Sequence, residues 1–297
     1  MTATRQPPVR ITPRDLWVGA RPKTMPATWA PLVTGLAIAH SLGSIDWWRA
    51  VLTVLFLLGF VIGTNFCNDY SDGVRGTDSN RVGPVRLVGS GQVSPRQVLR
   101  VGMVCYAVMA AAGLILAATV SWWMIAVTVF CGLGGWYYTG GSKPYGYRGL
   151  GEVSVFIHHG LIFVCATAGV QLGHVPWLAL AASVPAGLLC CALLVTNNLR
   201  DIETDAAAGK ITLAVRLGEP RTRALYTGIV GVAFASALAL APDRPWTLLV
   251  LAALPFAVAP LRRVLSGARG TDLIAALEGT CLLIFAFGTL FAIGLAV

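Results

Sequence analysis

Three aspartates, Asp69, Asp72 and Asp78, fall within ten residues of one another directly after an apolar run, in Asn68-Asp69-Tyr70-Ser71-Asp72-Gly73-Val74-Arg75-Gly76-Thr77-Asp78. Carboxylates this close repel one another unless a cation sits between them. Asp69 and Asp72 are three apart and share a helix face, while Gly73 and Gly76 let the chain turn so that Asp78 can approach the same spot. A second cluster, Thr196-Asn197-Asn198-Leu199-Arg200-Asp201-Ile202-Glu203-Thr204-Asp205, places Asp201 and Asp205 four apart on one face. Both clusters read Thr-Asn-x-x-x-Asp, through Thr64, Asn65 and Asp69 and through Thr196, Asn197 and Asp201. Oxygen ligands of this kind suit Mg2+, which keeps several waters and binds through one or two carboxylates plus the phosphates of a substrate. The spacing therefore points to one diphosphate site lined by two acidic helix ends, with Asp69, Asp72, Asp78, Asp201 and Asp205 as candidate metal ligands. A lone aspartate is ordinarily a solvated helix end; two matching clusters in a chain with only 13 acidic residues are not. Five carboxylates and a diphosphate outweigh the charge of two Mg2+, so further cations are required. Arg75, Arg81, Arg86, Lys143, Arg200 and Lys210 lie close enough in sequence to supply them.

The elements that must position these groups are membrane helices. The chain is 56% hydrophobic and 12% charged, with a mean hydropathy of +0.72, which excludes an ordinary soluble domain. Apolar runs predict an all-α polytopic protein of nine transmembrane helices: about 24–41, 47–67, 98–118, 122–139, 152–173, 177–199, 224–241, 246–265 and 272–296. The first run is itself a span, and no short apolar segment with a cleavage site precedes it. Of the 22 Lys and Arg residues, 20 fall in the N-terminal arm and in the loops after spans two, four, six and eight; only Arg49 and Arg244 fall opposite. The positive-inside rule then puts the N-terminus in the cytoplasm, the C-terminus outside and both acidic clusters on the cytoplasmic side. The net charge of +9 is spread over these loops, so orientation in the membrane accounts for it and nucleic-acid binding is not expected. Seven cysteines lie in or beside apolar runs without metal-like spacing and read as small hydrophobes.

The whole chain, 1–297, reads as one transmembrane domain: a cytoplasmic arm over 1–20, two related halves over about 21–148 and 149–270, and a ninth helix over about 272–296. Ser94-Pro95-Arg96 and Glu219-Pro220-Arg221 open the third and seventh spans alike, with proline at the first helical position. Facing halves would bring the acidic ends to one central cavity open to the cytoplasmic side. A metal-clamped diphosphate in a membrane suggests ionisation of a polyprenyl diphosphate, whose lipid half lies among the helices. The allylic cation needs a water-free site with π faces, and Trp136, Tyr137, Tyr138, Tyr145 and Tyr147 cluster at the end of span four. For Trp136 and Tyr137 an interfacial aromatic belt is an equal alternative. Tyr138 opens the Gly-rich stretch that runs through Lys143 to Arg148, which suits closure over a ligand. His158, His159 and Glu278 lie inside spans without nameable partners. Arg21 and Lys23, at the entrance of span one, either bind an anionic co-substrate or hold that end in place.

These residues carry a family likeness. Asn68-Asp69-x-x-Asp72 with Asp78, and Asp201-x-x-x-Asp205 after a later span, resemble the two aspartate motifs of the UbiA superfamily of intramembrane aromatic prenyltransferases, and the likeness covers nearly the whole chain. Arg81-x-Gly-Pro-x-Arg86, Tyr138-Thr-Gly, Pro144-Tyr-Gly-Tyr, Gly149-Leu-Gly-Glu152 and Asn197-Asn-Leu-Arg-Asp201 leading to Gly209-Lys210 are similar to its naphthoate branch. So is the six-residue step from Asp72 to Asp78, where the general motif has four. The resemblance implies Mg2+-dependent transfer of a polyprenyl group to 1,4-dihydroxy-2-naphthoate with loss of its carboxylate, in a bacterial cytoplasmic membrane. It implies Asp69, Asp72, Asp201 and Asp205 as Mg2+ ligands, Asn65, Asn68 and Asn197 as polar lining, and Arg or Lys groups on the diphosphate. Lys143 or Arg148 would then pair with the acceptor's carboxylate. Alternatives are transfer to another aromatic acceptor such as 4-hydroxybenzoate, a CDP-alcohol phosphotransferase, and an ion-coupled transporter. The phosphotransferase pattern needs further spaced aspartates that the sequence lacks, and transporter sites lie at mid-membrane rather than at helix ends.

Overall fold

The computed structural model describes residues 11–43, 45–78, 83 and 85–297, and Arg81 lies outside them. The described elements are helical: α1 (Pro13–Ala20), α2 (Pro26–Leu42), α3 (Trp47–Arg75), α4 (Pro95–Thr119), α5 (Trp123–Thr139), α6 (Gly151–Leu172), α7 (Trp177–Arg200), α8 (Ile202–Ala207), α9 (Leu213–Leu238), α10 (Pro245–Leu265) and α11 (Asp272–Ala296). Among the described residues six of these, α3, α4, α6, α7, α10 and α11, are long and apolar enough to cross a membrane. The remaining three expected spans are helical but fall short of that standard. α2 and α5 have 17 residues each, and α9 carries Arg216, Glu219, Arg221 and Arg223 in its first half and breaks at Gly218, whose φ is 74°.

In lipid, helices gain little from hiding apolar side chains from one another, so close backbone approach supplies the packing. Gly160 on α6 and Gly187 on α7 meet in this way, and a Cβ built on either would lie 2.8 Å from the other's Cα. Two apolar clusters result. One joins α3, α4 and α5 through Phe56, Phe60, Tyr106, Met109 and Met124; the other joins α7, α9, α10 and α11 through Leu189, Tyr226, Phe234 and Phe287. α2 and α6 contribute to both and so form the partition between them.

One end of the bundle is marked by tryptophan. Trp47, Trp122, Trp177 and Trp246 are all exposed and stand at or beside the starts of α3, α5, α7 and α10. Contacts hold these starts together: the Asp46 amide donates to Gln171 Oε1 at the end of α6 (2.8 Å), and Gly294 near the end of α11 packs on the Trp246 carbonyl. At the opposite end α3 stops on Gly76 in the left-handed conformation (φ 75°). α1, whose start is closed by a capping box between Thr12 and Asp15, is held there by Val18 and Ala20 against the Phe66 and Leu87 cluster. Overpacking predicts that Gly187→Val lowers stability by about 1–3 kcal/mol. Gly228→Val, where an added Cβ meets nothing within 4 Å, changes it by less than about 0.5 kcal/mol; thermal unfolding in detergent compares the two.

Candidate prenyl diphosphate site

The first acidic cluster closes the last turns of α3, and each carboxylate has a different task. Asp69, 2% exposed, accepts from the backbone amides of Leu87 (2.9 Å) and Val88 (3.0 Å). It thereby holds the backbone at 87–88 over the helix end, where Leu87 is fully buried against Phe66, Val93 and Val98. Asp72 faces a cavity and accepts from the Tyr147 hydroxyl at 2.7 Å. Burial and the Asp72 charge push the Tyr147 hydroxyl above its ordinary pKa, so at neutral pH it stays protonated and donates. Asp78 lies 3.7 Å from the Arg86 guanidinium.

The second cluster ends α7 and enters α8. Arg200 clasps Asp201 with two contacts of 2.7 Å and donates to Asn197 Oδ1 at 2.8 Å. Lys210 lies 3.4 Å from Asp205 Oδ1. The clusters meet through Tyr147: its carbonyl accepts from the Ile211 amide (3.1 Å), while Arg75 and Lys210 lie over its ring at 5.5 and 5.6 Å. Two acidic ends separated by most of a half-chain are thus assembled around one aromatic side chain.

Two adjoining cavities of ≈ 190 and ≈ 440 Å³ open between the apolar clusters. The smaller has a polar end, with Asn68, Asp72, Asn198 and Lys210, and an apolar end, with Phe60, Tyr145 and His158. Arg21, Asn65, Arg86, His159 and Asn197 border both. The larger is lined by Trp17, Lys23, Arg200, Leu277 and Glu278, and an exposed 2.8 Å ion pair joins Lys23 to Glu278. Arg21 reaches this position because it takes a left-handed backbone (φ 55°), rare for a residue with a Cβ. Its guanidinium donates to the Asn65 carbonyl (3.3 Å), and the Asn65 amide donates to the Ala20 carbonyl (3.2 Å).

Among the candidate site residues, the structure brings Asn65, Asn68, Asp72, Arg86, Tyr138, Asn197, Lys210 and Arg21 to the smaller cavity, and Lys23 and Arg200 to the larger. Asp69, Asp201 and Asp205 stand beside these walls without lining them. Lys143 and Arg148 are exposed and line neither cavity, and Arg75 is spent on the carbonyls of Thr139 and Gly141. The Gly-rich loop is tied down by Arg75, by the Tyr147–Asp72 bond and by the Tyr145 hydroxyl on the Gly134 carbonyl (2.6 Å). Thr139, which donates to Asn68 (2.7 Å), and Asn198, which donates to Glu152 (2.9 Å), are wall residues that spacing alone did not single out. A polar residue at the end of an otherwise apolar helix was the signal available for both.

Oxygen and amide groups dominate the polar end, and among the described residues no three acidic, histidine or cysteine side chains converge tightly enough to cage a metal alone. That donor set fits a hard cation completed by water and phosphate rather than a closed protein site. Arg21, Arg86 and Lys210 on the same walls fit an anion.

The UbiA prenyltransferase family model matches residues 28–283. The 1,4-dihydroxy-2-naphthoate octaprenyltransferase of Mycobacterium tuberculosis is 50% identical over 265 residues, 89% of this chain and 91% of that protein. The Escherichia coli protein of the same name is 35% identical over 223 residues, 72% of each. Among solved structures, a UbiA homolog from Archaeoglobus fulgidus bound to GPP and Mg2+ superimposes with a TM-score of 0.64 at 15% identity, covering 93% of this chain and 99% of that one. The apo UbiA homolog from Aeropyrum pernix K1 gives 0.67 at 16% identity, covering 90% and 96%.

Two predictions follow from the clamp and the bridge. Asp69→Ala removes the shared acceptor of two amides, so hydrogen exchange at Leu87 and Val88 accelerates at least about ten-fold, each bond to a charged group being worth ~1.5–3 kcal/mol. Tyr147→Phe deletes the donor to Asp72 and lowers kcat/KM for the prenyl diphosphate by roughly ten-fold, measured with the acceptor saturating. By family model and by relatives that match most of its length, the chain belongs to the UbiA prenyltransferase family.

Proposed function

We propose that this prenyltransferase moves a polyprenyl group from its diphosphate to 1,4-dihydroxy-2-naphthoate, with Mg2+, in menaquinone synthesis. The observation that carries the reading is the polarity of one cavity. Asp72, Asn68, Arg86 and Lys210 stand where a metal-bound diphosphate would lie, and Phe60, Val61 and Leu194 stand where a hydrocarbon would. The relatives named for naphthoate prenylation, matched over most of their length, support the acceptor.

Bound at the polar end, Mg2+ would supply positive charge to the departing diphosphate. Asp72 is placed to hold it from the cavity wall, oriented by Tyr147, while Asp201 and Asp205 would join through water after exchanging their present cations, Arg200 and Lys210. Arg86 and Lys210 then meet the charge that develops on the leaving oxygens. The breaking C–O bond leaves its electron pair on the diphosphate, and a ring carbon of the acceptor forms the new C–C bond. The carboxylate leaves the ring as carbon dioxide and its bonding pair restores the aromatic system, so that demethylmenaquinol forms with no net loss of a ring proton. Tyr138 and Tyr145, packed edge to face at 5.6 Å, offer π faces at the ionising carbon and help to keep water out.

The wider reading places nine helices across the membrane, counting α2, α5 and α9 with the six longer ones, as two related halves and a final helix. The arginine-rich loops lie at the end that bears the site, which supports a cytoplasm-facing active site.

The test uses membranes containing the protein, dihydroxynaphthoate, a polyprenyl diphosphate and Mg2+. Product forms with all components, is abolished by EDTA and restored by added Mg2+, and falls about two to three orders of magnitude with Asp72→Ala. Product from 4-hydroxybenzoate but not dihydroxynaphthoate would reassign the acceptor, and full activity in EDTA would remove the metal from the mechanism.

A further inference from the structure

His158 and His159 lie in the middle of α6, a helix that spans the membrane, and the diphosphate site uses neither. The helix widens into π geometry over Phe156–Ile162, an arrangement that is rare and concentrates at functional positions. The two rings play different parts. His158 Nδ1 lies 2.8 Å from the Ser154 carbonyl, which can only accept, so that nitrogen carries the proton. Its ring is stacked between Phe60 and Phe130 at 5.1 and 5.3 Å, and its Nε2 is buried against Gly134 without a hydrogen-bond partner, so His158 is packed wall with no nitrogen open to a ligand.

His159 is different. It borders both cavities, at the seam where the polar wall of the smaller meets the larger. Its ring lies against Phe163 (4.8 Å) and Phe60 (6.3 Å), its Nδ1 is buried without a hydrogen-bond partner, and no described residue bonds its Nε2. A polar ring in a membrane helix is costly unless something satisfies it. Its Nδ1 is sealed between Phe60 and Phe163, but Nε2 is not buried and no described residue bonds it, so a ligand in the cavity can satisfy that nitrogen. Of the two substrates, the isoprenoid chain has no hydrogen-bonding atom and the diphosphate belongs at the far polar end. The acceptor's hydroxyls remain.

We propose that His159 hydrogen-bonds a ring hydroxyl of the aromatic acceptor and so sets its position at the junction of the cavities; this rests on the prenyl-transfer reading. A neutral imidazole nitrogen accepts from the phenolic O–H. Electron density is thereby pushed toward the ring that must attack the allylic carbon, and the apolar side walls exclude water that would compete for the same hydroxyl.

The experiment compares wild type, His159→Phe and His159→Gln, purified in detergent and checked for equal elution and melting. Rates are measured while varying dihydroxynaphthoate and then the prenyl diphosphate. 1-Hydroxy-2-naphthoate and 4-hydroxy-2-naphthoate serve as competitors, each lacking one hydroxyl. The phenylalanine variant raises the acceptor KM about ten-fold with the diphosphate KM within two-fold, and glutamine recovers at least part of the loss. One competitor binds the wild type and the phenylalanine variant equally, because the hydroxyl it lacks is the one His159 holds. If the phenylalanine variant does not fold, His159→Leu takes its place. An acceptor KM within two-fold of wild type, equal rises in both KM values, or glutamine no better than phenylalanine would overturn the assignment. A wild-type protein that prenylates 4-hydroxybenzoate but not dihydroxynaphthoate instead overturns the naphthoate reading, whatever the variants do.

Discussion

Much of the site depends on one buried carboxylate gripping two consecutive amides. Asp69 sits in the last turns of α3 and binds the backbone of Leu87 and Val88, and this contact holds residues 87–88 against the bundle. Leu87 is then buried beneath it and Arg86 projects to both cavities. A charged acceptor is strong enough to fix a loop of this kind, where a neutral side chain would offer fewer and weaker bonds. The first aspartate of the motif therefore builds the wall beside which its neighbour, Asp72, faces the cavity.

The second cluster solves a different electrostatic problem. Asp201 and Asp205 are both buried, and burial of bare carboxylates is expensive. Arg200 and Lys210 neutralise them from positions one and five residues away in sequence. Lys210 also borders the smaller cavity and Arg200 the larger, so in the proposed reaction a metal and a phosphate arriving together would exchange partners with them. Tyr147 couples that exchange to the first cluster, because Asp72 holds its hydroxyl while Lys210 lies over its ring.

The sequence made the membrane class, most helix positions and the meeting of the two acidic ends legible, because hydropathy and motif spacing are both local in the chain. It also pointed to Asn65, Asn197 and Lys210, which line the smaller cavity, since they share turns or short loops with the aspartates. Lys143 and Arg148 were misplaced with respect to the cavities because nearness in sequence to aromatic residues says nothing about which way a loop faces; here Arg75 and Tyr145 pin that loop so that both charges point outward. Asp69's hold on Leu87 and Val88 was hidden because its partners are backbone amides, which every residue but proline has. The break in α9 was foreshadowed only by Gly218 and Pro220, two residues whose pairing reads equally well as an ordinary helix start.

The tryptophan collar at the end away from the site has a mechanical corollary. Four indole rings at the starts of α3, α5, α7 and α10 favour the depth of the lipid headgroups. With one rim held at that level, the molecule cannot bob freely along the bilayer normal. A thicker or thinner membrane is met by tilting or by deformation of the surrounding lipid. The cavities consequently keep a nearly constant distance from the headgroups of the leaflet that the tryptophans occupy, whatever the thickness of the bilayer beyond them.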